Sequence, residues 1–155
     1  MPKVHHSAIV TRDVEASLSF WRDGLGLVVL MDETFEGPWP ELFGAASATL
    51  RSVFLGDGAE PDSGIVELVD VEHTAPPAAA PPGPAVGFFL VSLYADLDEV
   101  LPRLAALGLG GEATVEAVGP VRLAFVHDPN GVRVELMDSP ARAKLAALER
   151  TGTGE

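Results

Sequence analysis

An internal repeat is the feature of this 155-residue sequence that most restricts its fold. The segment VELVD at residues 66–70 returns as VELMD at residues 134–138, an offset of 68 residues. The predicted helix N-caps Asp13 and Asp96 are instead 83 residues apart. Extra residues in the first half, within FEGPWPELFGAAS, account for the difference. A duplicated unit with one enlarged loop is the simplest interpretation.

Both halves show the same order of predicted elements, a strand, a helix and then three strands. Strands are indicated by runs of apolar and β-branched residues between turn-forming residues, and helices by Asp N-caps and Gly stops. In the first half we expect strands at 4–11, 27–32, 48–56 and 64–71, with a helix from Asp13 to Gly24. In the second half we expect strands at 86–95, 112–119, 120–127 and 131–138, with a helix from Asp96 to Gly108.

A proline- and alanine-rich segment, HTAPPAAAPPGPA at residues 73–85, separates the two halves. Its composition is typical of a stiff connector, because proline cannot donate to a sheet. We therefore predict a first module at 1–72, a linker at 73–85 and a second module at 86–138. Residues 139–155 are predicted to form a short C-terminal helix and a frayed tail, with Ser139 as N-cap.

Composition excludes several classes of function. The formal net charge is −13, and the ten basic residues are scattered, so neither nucleic acid nor a membrane is an expected partner. The chain has 155 residues, of which 47% are hydrophobic, and this is enough to form a substantial core. It contains no cysteine, so any metal site must use His, Asp or Glu. No signal peptide or membrane span is evident, and we expect a cytoplasmic protein.

Two glutamates occupy equivalent positions in the repeat, Glu67 and Glu135. Because side chains alternate along a strand, Glu67 shares its face with aliphatic residues, and Glu135 shares its face with Arg133 and Met137. A carboxylate among apolar side chains requires compensation by a metal, a cation or hydrogen bonds. Taken singly, each acid is more often a solvated residue or an ion-pair partner; the repeat favours one shared site.

The first strand adds a histidine to this set. His5 and His6 are adjacent, so their side chains lie on opposite faces of the strand. Only one of them can point into a cleft on one face of the sheet unless the strand contains a bulge. His6 together with Glu67 and Glu135 provides nitrogen and oxygen ligands for a divalent metal ion, with room for water or substrate.

The chain resembles the vicinal oxygen chelate superfamily, which includes glyoxalase I, methylmalonyl-CoA epimerase, extradiol dioxygenases and bleomycin-resistance proteins. The resembling motifs are HSAIVTRDVEASLSFWRDGLGL, GIVELVD, ADLDEVLPRLAALGL and FVHDPNGVRVELMD, in the family's order. The resemblance implies an α+β fold of two tandem βαβββ modules, whose curved mixed sheets enclose a cleft, commonly in a homodimer. It also implies metal ligands on the first and last strands of each module, which places His6, Glu67 and Glu135 at three of four positions.

The fourth ligand position departs from the family pattern. Adding 83 to His6 leads to Phe89, which cannot coordinate a metal ion. Ser92 and Tyr94 have the wrong strand parity to replace it. The site is then either a three-ligand site completed by water or no metal site. The metal, if bound, is Ni, Co, Mn, Fe or Zn.

Aromatic residues and an arginine are candidate contacts for a small-molecule substrate. The enlarged loop contributes Phe35, Trp39 and Phe43, which would cover or stack on a planar substrate, or would simply cap the end of the sheet. Phe89 is a further candidate. Arg133 would neutralise Glu135 in a metal-free cleft or bind an anionic group of the substrate.

Three functions are consistent with these residues. The first is a glyoxalase-like, metal-assisted lyase or isomerase of a small oxygenated metabolite, with Glu67 or Glu135 moving the proton. The second is a metal-free protein of the bleomycin-resistance type that sequesters an aromatic or antibiotic-like compound, with the glutamates paired with His6 and Arg133. In the third, the cleft is only a subunit interface.

Overall fold

The chain forms two compact units, Met1–Ala80 and Pro81–Glu155, and the division falls inside the predicted linker. The computed structural model describes residues 1–72, 74–79 and 83–138. The predicted C-terminal helix and tail at 139–155 lie outside the described residues. No helix among the residues described is long and apolar enough to cross a membrane.

The first unit contains a four-stranded mixed sheet. Its strands are ordered β1-β4-β3-β2; β1 runs parallel to β4, and the other neighbours are antiparallel. The elements in chain order are β1 (His6–Val10), α1 (Val14–Leu18), a π-helical segment (Ser19–Gly24), β2 (Val28–Glu36), α2 (Trp39–Phe43), β3 (Thr49–Gly56) and β4 (Ile65–Val71).

The second unit repeats this topology. Its sheet is ordered β5-β8-β7-β6, again with one parallel pair, β5 and β8. The elements are β5 (Val91–Ala95), α3 (Leu97–Ala106), β6 (Gly110–Val118), β7 (Val121–His127) and β8 (Arg133–Asp138). The predicted α+β fold, built from two βαβββ repeats, is confirmed.

Strand alternation gives each sheet a helix-covered face and an opposite face. In β4, Val66 and Leu68 are buried, and strand alternation places them on one face of the sheet and Glu67 on the other. In β8, Val134 and Leu136 are fully buried on the equivalent face. The two repeated glutamates therefore lie on the sheet faces opposite to the helices.

The helix N-caps are as predicted, but the first helix changes type along its length. Asp13 accepts a hydrogen bond from the main-chain N–H of Ala16, and Asp96 accepts one from Asp98. After Leu18 the helix continues as a π-helix. Both aromatic residues of this segment are completely buried, with their rings 5.1 Å apart. The π-helical turn accompanies the burial of two consecutive large side chains.

Two sequence predictions differ from the structure. The strand predicted at 86–95 begins only at Val91, because Gly87 adopts a φ of 123°, which a strand does not tolerate, and Val86 and Phe88 are exposed. The enlarged loop of the first half is not a simple loop, since β2 extends to Glu36 and α2 follows.

The end of β8 carries a buried carboxylate paired with a half-exposed arginine. Arg122 donates hydrogen bonds to Asp138, whose side chain is 6% exposed, and to Asp98, which is 81% exposed. These bonds, first to Asp98 and then to Asp138, raise the pKa of Arg122. Oδ1 of Asp138 is buried without a hydrogen-bond partner among the described residues. The carboxylate therefore depends strongly on this arginine.

Arg122→Met is expected to lower the free energy of unfolding, because it leaves the Asp138 carboxylate buried without its cation. Urea unfolding followed by circular dichroism measures the change. The matched control is Arg22→Met, which breaks the exposed pair with Asp23 and should lower the free energy of unfolding by a clearly smaller amount. Equal losses in the two variants would contradict this role of Arg122.

Candidate active site

The face of the first sheet that is opposite the helices carries a cluster built around Glu67. Nε2 of His6 lies 3.1 Å from Oε2 of Glu67, and the hydroxyl of Ser52 donates a 2.6 Å hydrogen bond to Oε1. The glutamate side chain is 14% exposed, that of histidine is 38% exposed, and Ser52 is buried. Both carboxylate oxygens thus have a polar neighbour within the unit, which compensates the partial burial of the charge.

The register of the sheet explains why these side chains meet. Ala8 of β1 lies opposite Glu67 of the parallel strand β4, so His6, two residues earlier, is on the same face. Ser52 lies on the antiparallel neighbour β3, opposite Val69. The residue types predicted from the sequence, His6 and Glu67, are therefore adjacent. Ser52 was not among the predicted site residues.

Ser52 could have been found from its strand. In ATLRSVFLG, it is the hydroxyl side chain that shares a face with two apolar residues, Leu50 and Phe54. A buried hydroxyl on such a face requires a partner. What the sequence does not supply is the register that brings Glu67 within hydrogen-bonding distance.

His5 contacts the same cluster from the end of the strand. Its Nδ1 lies 2.8 Å from Nδ1 of His6, and its ring meets that of His6 edge to face at 5.1 Å. Both imidazoles also contact the ring of Phe54, with centroid distances of 5.7 and 5.4 Å. The orientation of His6 is thus defined by three neighbours: His5, Phe54 and Glu67.

A pocket of about 480 Å³ opens beside Glu67 within the first unit. Three adjacent strands contribute every second residue to it, as expected for one sheet face, and β2 and α2 contribute aromatic rings. The lining residues are Ala8, Val10, Phe35, Trp39, Phe43, Leu50, Ser52, Glu67 and Val69. The structure therefore brings all three aromatic residues of the enlarged loop together with the first of the repeated glutamates.

Local structure holds the aromatic rings in place. The rings of Trp39 and Phe43, one helical turn apart in α2, are stacked with their centroids 5.9 Å apart. The indole N–H of Trp39 points to the carbonyl oxygen of Phe35 at 3.5 Å. The indole also lies so close to Gly37 that a Cβ there would be 2.7 Å from its ring. Gly37 is thus needed for the observed position of the indole.

The second unit has a related carboxylate with a different partner. The hydroxyl of Ser92 donates a 2.6 Å hydrogen bond to Oε2 of Glu135. In the register, Ser92 lies opposite Glu135 as Ala8 lies opposite Glu67. The prediction from strand parity that Ser92 faces away from this site is therefore wrong. The assumed offset between the first strands of the two halves is one residue too small. A shift of one residue moves every side chain of a strand to the other face of the sheet.

The corrected offset between β1 and β5 is 84 residues, so the counterpart of His6 is Leu90, not Phe89. Leucine is no metal ligand either, and the departure from the family pattern remains. The ring of Phe89 lies instead under the guanidinium of Arg133, at 5.0 Å, in a cation–π contact.

The residues available to a metal ion can be compared with the ligands that a divalent cation needs. His6 and Glu67 supply an adjacent imidazole nitrogen and carboxylate oxygen, which fit part of a His/carboxylate site. Within either unit, the described residues bring together no group of three His, Asp or Glu side chains that could hold a metal. A complete site thus needs further donors beyond this pair, from water, substrate or another part of the protein.

Comparison with known proteins defines the family. A sequence model of the Glyoxalase/Bleomycin resistance protein/Dioxygenase superfamily matches residues 3–136. A curated protein of Aspergillus terreus, described as a lactoylglutathione lyase-like protein, terB, is 33% identical over 150 residues. The match covers 88% of this chain and 75% of that protein. The chain therefore belongs to the Glyoxalase/Bleomycin resistance protein/Dioxygenase superfamily, and the resemblance read from the sequence is confirmed.

Solved structures share the fold. Glyoxalase I of Leishmania major matches with a TM-score of 0.66 and 19% identity, covering 99% of each chain. A glyoxalase family protein of Bacillus cereus gives a TM-score of 0.69 at 20% identity, over 89% of this chain and 94% of that one. A glyoxalase/dioxygenase of Nostoc punctiforme gives 0.57 at 25% identity, over 88% and 90%.

Gly37→Ala is expected to displace the indole of Trp39, because the added Cβ would overlap the ring. Acrylamide quenching of tryptophan fluorescence measures this: quenching should rise about twofold or more, since the other tryptophan, Trp21, is completely buried. The thermal midpoint should shift little, because α2 contains no buried residue.

The matched control is Gly58→Ala, at a position where an added Cβ meets nothing within 4 Å. It should leave the quenching unchanged. Unchanged quenching in Gly37→Ala as well would show that this glycine does not position Trp39.

Proposed function

We propose that the protein is a glyoxalase-like lyase or isomerase that moves a proton on a small oxygenated metabolite bound beside Glu67. The observation that carries the proposal is the position of this carboxylate, which is 14% exposed, held by Ser52 and adjacent to an apolar pocket. A positioned carboxylate that meets substrate in a place shielded from water is suited to general acid–base catalysis.

The residues of the site have different roles in the proposed reaction. The aromatic and aliphatic lining binds the substrate's apolar part and excludes water from the reacting carbon. Glu67 accepts the proton from the hydroxyl-bearing carbon next to a carbonyl group and returns it to the former carbonyl carbon, while the hydroxyl proton passes to the former carbonyl oxygen. Ser52 holds one carboxylate oxygen in place. His6, 3.1 Å from the other oxygen, orients the carboxylate.

We further propose that His6 and Glu67 take part in holding a divalent ion of Ni, Co, Mn, Fe or Zn. When bound, such an ion would polarise the carbonyl oxygen of the substrate and stabilise developing negative charge. The support for this is the donor chemistry of the adjacent pair and the membership of the family.

We also propose that the protein acts in the cytoplasm as a homodimer.

Sequestration without chemistry receives less support. A metal-free binding protein would need Arg133 to neutralise Glu135. In the structure, Glu135 accepts a hydrogen bond from Ser92, and Arg133 lies over Phe89. The curated relative is described as lyase-like. A carboxylate beside an apolar pocket also adds little to passive binding of an apolar compound, because its desolvation opposes binding.

Glu67→Gln is expected to lower the rate of proton transfer by about 100-fold or more, because the amide cannot accept the proton. The measurement is solvent deuterium incorporation, followed by NMR, into a panel of hydroxy ketones and hemithioacetals with metal-loaded protein. Glu60→Gln, in an exposed loop, is the control and should keep the wild-type rate.

The ligand role is tested separately by metal content. His6→Ala should lower the affinity for Ni²⁺ by about tenfold or more in a competition assay with a chelator. Wild-type protein that exchanges no proton on any panel member would contradict the enzymatic proposal. Retained activity in Glu67→Gln would contradict the role of this carboxylate.

A further inference from the structure

The charge of the pocket restricts the compounds that it can bind. Among the nine described residues that line it, Glu67 is the only one with a charged side chain, and seven are apolar. No arginine or lysine of the part of the chain that the structure describes contributes to the lining. In the metal-free protein, a polyanionic ligand placed here would meet a carboxylate of the same sign and no arginine or lysine of the described residues, which costs binding free energy.

The arginines that lie nearest in sequence to the lining residues have other partners. Arg51 lies between two lining residues of β3 and therefore points to the opposite face, where Nε and Nη2 bond both oxygens of Asp32. These bonds hold the pKa of Asp32 below its usual range. Arg12 donates to the hydroxyl and carbonyl of Thr74.

The shape and lining of the pocket suit a ring. Phe35, Trp39 and Phe43 supply three aromatic rings, two of them stacked on each other. The volume of about 480 Å³ is sufficient for a substrate with one or two rings. Aromatic surfaces bind planar apolar groups by stacking and by burial of area.

The two polar residues of the lining require a polar group on that ring. Oε1 of Glu67 accepts from Ser52, and Oε2 faces His6, but an ionised carboxylate has about four acceptor positions. A hydroxyl of the substrate can therefore donate to Glu67. In the metal-free protein, a negatively charged group at the same place would be repelled.

We propose that this pocket binds an uncharged, hydroxylated ring compound, so that the substrate reacts without a glutathione carrier. The inference rests on the proposed function for the reaction itself and concerns the substrate class of the same site. A glutathione conjugate carries two carboxylates, which need cationic or N–H donors in the protein. The pocket beside Glu67 offers an aromatic surface and one hydrogen-bond acceptor instead.

The first test compares two ligands that have the same ring system and differ in charge. Isothermal titration calorimetry of protein freed of metal ions with a chelator should show 2-naphthol binding at one site per chain, and 2-naphthalenesulfonate binding at least tenfold more weakly. In Glu67→Gln this ratio should fall at least threefold, because the charge that repels the sulfonate is removed. Equal or tighter binding of the sulfonate to the wild type would overturn the proposal.

The second test assigns the binding to the pocket. Trp39→Ala should weaken 2-naphthol binding about tenfold, because one aromatic wall is lost. Leu42→Ala is the matched control, since Leu42 lies on the same helix, is 67% exposed and does not line the pocket. It should bind like the wild type. Unchanged affinity in Trp39→Ala would overturn the proposed location.

A third ligand separates this inference from the proposed reaction. S-lactoylglutathione should produce no measurable heat and should not displace 2-naphthol. If it binds more tightly than 2-naphthol, or if the wild type converts its hemithioacetal precursor, the substrate class is wrong while the enzymatic function stands. If no substrate undergoes proton exchange but 2-naphthol binds as described, the enzymatic function fails and the ligand class stands.

Discussion

The parallel pairing of β1 with β4 is the interaction on which the candidate site depends. It places Ala8 beside Glu67, and strand alternation then brings His6 onto the same face as the carboxylate. A shift of one residue in this pairing would turn the imidazole toward the helix-covered core. The carboxylate is partly buried, so its stability in the folded protein depends on the same register, which supplies His6 from one neighbouring strand and Ser52 from the other.

Beside this polar cluster the first unit has an apolar pocket. The sequence of the second unit has no segment equivalent to the insertion that lines this pocket. The insertion between β2 and β3 forms the short helix α2, and its two aromatic residues are held by Gly37 and by the end of β2. The helix ends at Gly44, which adopts the left-handed conformation that favours glycine. The insertion thus supplies a hydrophobic surface, while the strands supply the carboxylate of Glu67. Duplication followed by enlargement of one loop accounts for both.

Much of the fold could be predicted from the sequence, because repeated motifs, Asp N-caps and alternating strands are local signals. VELVD and VELMD identified the equivalent last strands, and the helix starts at Asp13 and Asp96 were found correctly. Pairing register is a long-range property and was less accessible. The offset measured between helices is one residue shorter than that between β1 and β5, so the parity assigned to Ser92 was wrong. The hydrogen bond from Ser52 to Glu67 depends on the same kind of information.

The proposed binding of a divalent ion by His6 and Glu67, next to the aromatic pocket, can be tested directly. The most direct measurement is a crystal structure of protein loaded with Ni²⁺, with anomalous diffraction recorded to locate the metal. If these two residues are ligands, we expect an anomalous peak at bonding distance, about 2.1 Å, from Nε2 of His6 and from a carboxylate oxygen of Glu67. Fully loaded crystals in which the nickel lies elsewhere, and in which His6 and Glu67 keep their 3.1 Å contact, would contradict it.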